Sequence, residues 1–179
     1  AEGMTALLQG RRVAFIHVPL PTDSPSDKVN LPEAVLIAQT VAAIYHMRPK
    51  RFNPLSTVGI IVPYRNQIAT IRRCLESYGI PLLQQVTIDT VERYQGSQRD
   101  YILYGFTIQR CYQLNFLTNN VFEEDGCLID RKLNVAMTRA REHLYLFGNA
   151  PLLSLNTTFR KLIEEYSIHS TFNLKQRNE

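Results

Sequence analysis

Disulfide chemistry is the first thing this sequence has little of. Among 179 residues only Cys74, Cys111 and Cys127 are cysteine, odd in number and far apart. That excludes a disulfide-held scaffold and makes a reducing, intracellular compartment the expectation, cytoplasmic or nucleoid/nuclear. Long apolar runs are also missing. The greasiest stretch, 34–45, is interrupted by Gln39 and Thr40 and falls short of the ~20 residues that a membrane span needs. No basic region leads into an apolar segment at the N-terminus, so no signal peptide is expected. Met4 behind Ala1-Glu2-Gly3 is read as a cloning or linker remnant covering 1–10, on a chain cut from a longer protein. No Gly-x-Gly-x-x-Gly occurs and the first strand runs into a Pro-rich loop, which argues against a dinucleotide-dependent oxidoreductase. His17, His46, His143 and His169 are scattered without a ligand partner at helical spacing, so no metal site is expected. A net charge of only +4 permits a nucleic-acid partner without demanding one.

What is present is enough for a folded domain: 45% hydrophobic and 20% charged residues exclude a disordered chain. Short apolar runs alternate with helical periodicity. Val13–Val18 reads as a strand, followed by a Pro/Ser/Asp loop over 19–29. Asn30 then caps a helix, with Pro32 in its first turn and Glu33 three residues after the cap, as in a capping box. Ala34, Ile37, Val41 and Ile44 follow at helical spacing. The unbroken Val58-Gly59-Ile60-Ile61-Val62 is the signature of a strand covered on both faces. The next helix carries Ile68, Ile71, Leu75 and Tyr78 on one side, and Gly79 and Pro81 end it. Strands are expected at 86–89, 101–107 and 143–148, and helices at 130–141 and 159–166. The alternation predicts an α/β fold: a parallel sheet with helices on both faces. On such sheets ligands sit at the carboxyl ends of the strands, which directs attention to the segments after Val62, Asp89 and Thr107. The connection 108–129 is longer than compact domains usually tolerate.

Three segments carry chemistry. In Val62-Pro63-Tyr64-Arg65-Asn66-Gln67 a strand runs straight into a helix, whose first N–H groups face anions while an aromatic sits beside Arg and Asn. Alone, it reads rather as a capping turn with solvated side chains. Thr87–Asp100 is a short polar stretch in which Gly96 permits close backbone approach to a ligand. In 130–141, Leu133, Ala136, Met137 and Ala140 form one apolar arc. Asn134, Thr138 and Arg141 flank it on one side and Arg139 on the other, so the two arginines do not serve one phosphate.

In this order, the segments resemble motifs IV, V and VI of superfamily 1 helicases, in the 5′→3′ group that includes the nonsense-mediated-decay helicase and the DNA replication helicase/nuclease. Val58–Gln67 is similar to Val-Gly-Ile-Ile-(Thr/Val)-Pro-Tyr-x-x-Gln. Val91–Asp100 is similar to Val-Asp-x-(Phe/Tyr)-Gln-Gly-x-Glu-x-Asp, and Arg131–Arg141 to Arg-x-Leu-Asn-Val-Ala-x-Thr-Arg-Ala-Arg. Asn30-x-x-Glu33-Ala34 and Phe147-Gly148-Asn149 also fit the group. The resemblance covers roughly residues 13–154 and implies a RecA-like second domain of the P-loop NTPase class, spanning 11–155 with a C-terminal helix and tail over 156–179. No Gly-x-x-x-x-Gly-Lys-(Ser/Thr) occurs, so the phosphate loop and the Mg²⁺ ligands are expected in an upstream RecA-like domain of the same protein, and the fragment alone is expected to be inactive. ATP and Mg²⁺, single-stranded DNA or RNA, and that upstream domain are the implied ligands and partners; a membrane is not.

By the same resemblance Arg139 is the arginine finger. Gln95, Gly96 and Gln98 lie at the nucleotide, and Pro63, Tyr64, Arg65, Asn66 and Thr90 lie along the nucleic-acid strand. Gln67 is expected to hold its helix start against motif V. One position departs: Gln98 stands where the group has Glu, which loses a charge the nucleotide would feel. An alternative stays open, a helicase-like module that binds nucleic acid or protein without ATPase activity.

Overall fold

A computed structural model describes residues 11–94, 97–118, 121–124 and 127–167 of the chain. Five strands form one all-parallel sheet in the order β1 (Val13–His17), β7 (Ala140–Gly148), β4 (Arg99–Gly105), β2 (Val58–Val62), β3 (Thr87–Thr90). Helices α1 (Leu31–Met47) and α2 (Arg65–Glu76) cover one face, where Ile37, Val41, Ile60, Leu103 and Phe147 meet. The other face is covered by α3 (Gln113–Thr118), α4 (Arg131–Arg139), α5 (Ala150–Leu153) and α6 (Thr157–Tyr166), over a core that includes Phe15, Ile61, Ile102, Phe106 and Leu146. Burial on both faces explains why the central strands read as continuous apolar runs. No helix among the described residues is long and apolar enough to cross a membrane.

The parallel sheet with helices on both faces is the architecture expected from the sequence. Four local differences have physical causes. Strand β7 begins at Ala140, three residues before the expected 143, because Ala140 pairs with Arg99 of β4 and takes Ala140 and Arg141 out of the helix. Met137 leaves the apolar arc: Leu133 and Ala136 are buried, but Met137 is 46% exposed. Tyr78 lies beyond the end of α2 and is exposed. The connection 108–129 is not featureless, since it holds α3 and an antiparallel hairpin of β5 (Val121–Glu124) with β6 (Cys127–Asp130).

Candidate functional site

At the carboxyl ends of the strands a buried polar junction ties together three elements. Asn30 caps α1 by accepting from the Glu33 N–H at 3.1 Å. The other half of the expected capping box is absent: the Asn30 N–H donates instead to Gln67 Oε1 at 2.9 Å. The Glu33 carboxyl, fully buried, accepts from the Thr107 N–H and hydroxyl, both at 2.7 Å, and from Gln67 Nε2 at 3.1 Å. Gln67 also donates to the Asn30 carbonyl at 2.8 Å. Gln67 thus fixes the start of α2 to the start of α1, whereas the sequence led us to expect motif V as its partner; among the described residues its hydrogen bonds go to Asn30 and Glu33. Desolvation pushes the Glu33 carboxyl up to about 7, against the opposing pull of its Thr107 and Gln67 hydrogen bonds. Thr107 holds φ at 61°, a left-handed conformation that costs a non-glycine residue ~1–2 kcal/mol. The two bonds that Thr107 donates to Glu33 hold it there. Gly105 leaves room for this carboxyl, since a Cβ would meet Glu33 Oε2 at 2.7 Å.

Beside this junction, a strap formed by 109–113 reaches across to 26–29 and to Tyr64. Gln113 Nε2 donates to the Asp27 carbonyl at 2.8 Å and to the Tyr64 hydroxyl at 3.2 Å. Tyr112 donates to the Asp27 carboxylate at 2.8 Å. Tyr64 is half-buried, with Lys28 6.0 Å from its ring centre. Burial leads the causes that raise its phenol. Pro63 and Thr90 are buried, whereas Arg65 and Asn66 are exposed in the first turn of α2. Tyr64, the residue capping that helix, makes no side-chain cap, so its leading N–H groups have no side-chain acceptor from it.

Gln98 and Arg139, the described members of the second group of expected residues, lie at the other end of the sheet. Arg139 ends α4 directly before Ala140, which pairs with Arg99 at the amino ends of β7 and β4. The rule that ligands sit at the carboxyl ends therefore points to motif IV and not to the end of the sheet where Arg139 lies. The Arg139 Nε is buried without a hydrogen-bond partner, as are the Tyr94 hydroxyl and the Arg99 Nε. No ion pair holds Arg139 among the described residues. Tyr94 lies over Gly59, where any Cβ would run into its hydroxyl. Burial raises that hydroxyl, and the charges of Arg99 and Arg139 offset part of the rise. Among the described residues neither cation is paired with a carboxylate, which leaves a corner suited to an anion.

Gln98 borders this corner and donates to the Thr138 carbonyl at 3.2 Å. Lys132, near the start of α4, pairs with Glu92 at 3.7 Å, so the motif V segment is attached to α4 near both its ends. Arg141 lies in β7, where a helical wheel does not govern it. Its guanidinium bonds Asp100 at 2.9 Å and the Ser56 carbonyl at 2.8 Å. Gln95 and Gly96 lie outside the described residues. The sequence reading passed over Thr107, Gln113, Tyr94 and Arg99 as site residues. Only Tyr94 had a local signal, as the aromatic of motif V. Among the described residues no group of three or more His, Cys, Asp or Glu could hold a metal ion.

Comparison with known proteins gives this arrangement a family. A model described as an AAA domain matches residues 5–151. Helicase sen1 of Schizosaccharomyces pombe is 30% identical over 146 residues, covering 80% of this chain and 8% of the relative. The regulator of nonsense transcripts 1 of Dictyostelium discoideum is 30% identical over 149 residues, 79% of this chain and 10% of the relative. The DNA replication ATP-dependent helicase/nuclease DNA2 of Bos taurus is 34% identical over 113 residues, 60% of this chain and 9% of the relative. The chain thus spans a tenth or less of the length of these three relatives. The chain belongs to this AAA-domain family, as a second RecA-like domain of the superfamily 1 helicases.

Proposed function

We propose that the chain is the second motor domain of an ATP-dependent DNA or RNA helicase, supplying the arginine finger and part of the single-strand track. The observation that carries the reading is Arg139: a cation at the end of the motif VI helix, with no ion pair among the described residues and Arg99 beside the same tyrosine. A guanidinium spreads its charge over a plane that matches phosphoryl oxygens. Brought to the γ-phosphate when two motor domains close, it stabilises the charge of the transferring group. Gln98, and in the same segment Gln95 and Gly96, border the nucleotide in this reading.

The strand runs along the opposite end of the sheet, over Arg65, Asn66 and the Tyr64 edge, with Pro63 and Thr90 shaping the surface beneath. Mg²⁺ ligands and the phosphate loop belong to an upstream RecA-like domain, consistent with the missing Gly-x-x-x-x-Gly-Lys-(Ser/Thr). The domain proper is assigned to 11–155, with 1–10 as linker residues and 156–179 as a C-terminal helix and tail.

Gln98 in place of the usual Glu favours a second reading, a module that binds nucleic acid without turnover. ATP hydrolysis separates them. The purified 179-residue chain is expected to show none, and the protein that carries the upstream domain is expected to hydrolyse ATP when single-stranded nucleic acid is added. Turnover by the chain alone refutes the division of labour. No turnover by the longer protein establishes the second reading.

A further inference from the structure

We infer that Tyr112, on the strap formed by 109–113, is a stacking platform for a base of the single strand. The strap is then a second wall of the track, beside Tyr64. The inference rests on the strand track proposed above and extends it to a segment that the motifs do not mark.

Tyr112 is 64% exposed and packs in neither core, yet its ring is held in place. Its hydroxyl donates to the Asp27 carboxylate at 2.8 Å. The next residue, Gln113, is buried and anchors the strap to the Asp27 carbonyl and the Tyr64 hydroxyl. Gln113 also accepts from the Gln109 and Arg110 N–H groups, at 2.8 and 3.1 Å. From the start of the strap, Gln109 Nε2 donates to the Ser26 carbonyl at 3.2 Å. Fixing an exposed side chain costs rotamer entropy, and burial does not offset it here. A ring held at the surface with much of its area open is the form on which a nucleobase stacks. Tyr64, the other tyrosine tied to this strap, is half-buried and has Lys28 at its ring, which leaves Tyr112 the more open of the two.

The charge nearby has the sign that a phosphate backbone needs. Arg110 and the Tyr112 hydroxyl both engage the Asp27 carboxylate, so the acid that would repel the strand is covered. Lys28 and Arg65 are exposed, and no ion pair holds them among the described residues. Cations for the backbone together with rings for the bases hold a single strand without reading its sequence.

The test measures binding of a homothymidine and a homouridine strand, each intact and with abasic sites, to the protein that carries the upstream domain. Tyr112→Ala is expected to weaken binding of the intact strands about tenfold, the effect of one lost stack. Tyr112→Trp, which keeps a ring, is expected to stay within about twofold of the unsubstituted protein. On the abasic strands Tyr112→Ala is expected to change affinity by less than about twofold, because no base is left to stack. The slope of affinity against salt is expected to hold in Tyr112→Ala and to become shallower by about one in Arg65→Ala, which gives up a phosphate contact. An intact-strand affinity that stays within about twofold in Tyr112→Ala overturns the inference. So does an equal loss on intact and abasic strands, which would mean that the ring only holds the strap in shape. A salt slope that falls in Tyr112→Ala, or a Tyr112→Trp protein that binds as poorly as Tyr112→Ala, overturns it as well. An unsubstituted protein that binds neither strand ends the functional reading and the inference with it. Binding lost in Arg65→Ala and kept in Tyr112→Ala ends the inference alone.

Discussion

The two ends of the sheet are built in opposite ways. At the carboxyl ends, Asn30, Glu33, Gln67 and Thr107 are buried and bonded to one another by six hydrogen bonds. At the amino ends of β4 and β7, Tyr94, Arg99 and Arg139 each keep a buried polar atom without a partner. A saturated network is rigid and specifies one arrangement, whereas unpaired buried groups cost free energy that only an added ligand or domain recovers. On the proposed reading, the first end is scaffolding beneath the strand track and the second is completed by a ligand or domain outside the chain.

Removing Glu33 should break that contrast most. Glu33→Ala leaves the Thr107 N–H, the Thr107 hydroxyl and Gln67 Nε2 without their acceptor and releases a strained φ, at a cost of about 3 kcal/mol or more. Urea unfolding measures it, and a loss under about 1 kcal/mol would mean that the junction is not structural. The same carboxyl makes stability depend on pH. Its folded value, about 7, lies above the ordinary 4.5, so the folded chain holds this proton more tightly than the unfolded chain does. The contribution is fully present below about pH 4.5 and is lost as pH rises to about 7, on the order of 3 kcal/mol at most. Unfolding midpoints across that window should slope downward in the native chain and flatten in Glu33→Gln at this component.

At the other end, Gly59→Ala drives a Cβ into the Tyr94 hydroxyl and to within 3.1 Å of Arg99 Cγ. It should cost about 1–3 kcal/mol, and Gly59→Ala combined with Tyr94→Phe should recover part of it if the hydroxyl is what clashes. Arg141→Ala removes the bond to Asp100, a pair whose Arg side chain is 41% exposed. It should cost under about 1 kcal/mol, sharpening the distinction between this outward arginine and Arg139.

Periodicity and apolar runs made most of the sheet legible, because doubly covered strands cannot alternate. They failed where pairing overrode local pattern. Ala136, Met137, Thr138, Arg139, Ala140 and Arg141 read as one continuous helix, yet the backbone bonds of β4 draw the last two into β7. Helix α3 is only six residues long, too short for a period to show, although Asp125-Gly126 between β5 and β6 is a dipeptide that favours a hairpin turn. Motif order made the candidate residues legible and left their connections hidden. Glu33 looked like half of a capping box, while its partners Thr107 and Gln67 stand seventy-four and thirty-four positions away. Gln98 looked like a lost charge, while its bond to Thr138 is invisible without the fold.

The claim that the two ends divide the work is tested most directly by Arg139→Ala in the protein that carries the upstream domain, with ATP turnover and single-strand affinity measured on the same preparation. The account predicts that turnover falls by ~10³–10⁵ while affinity for the strand changes by less than about threefold. A fall in turnover of under tenfold, or a loss of strand binding that matches it, would contradict the assignment of the finger to Arg139.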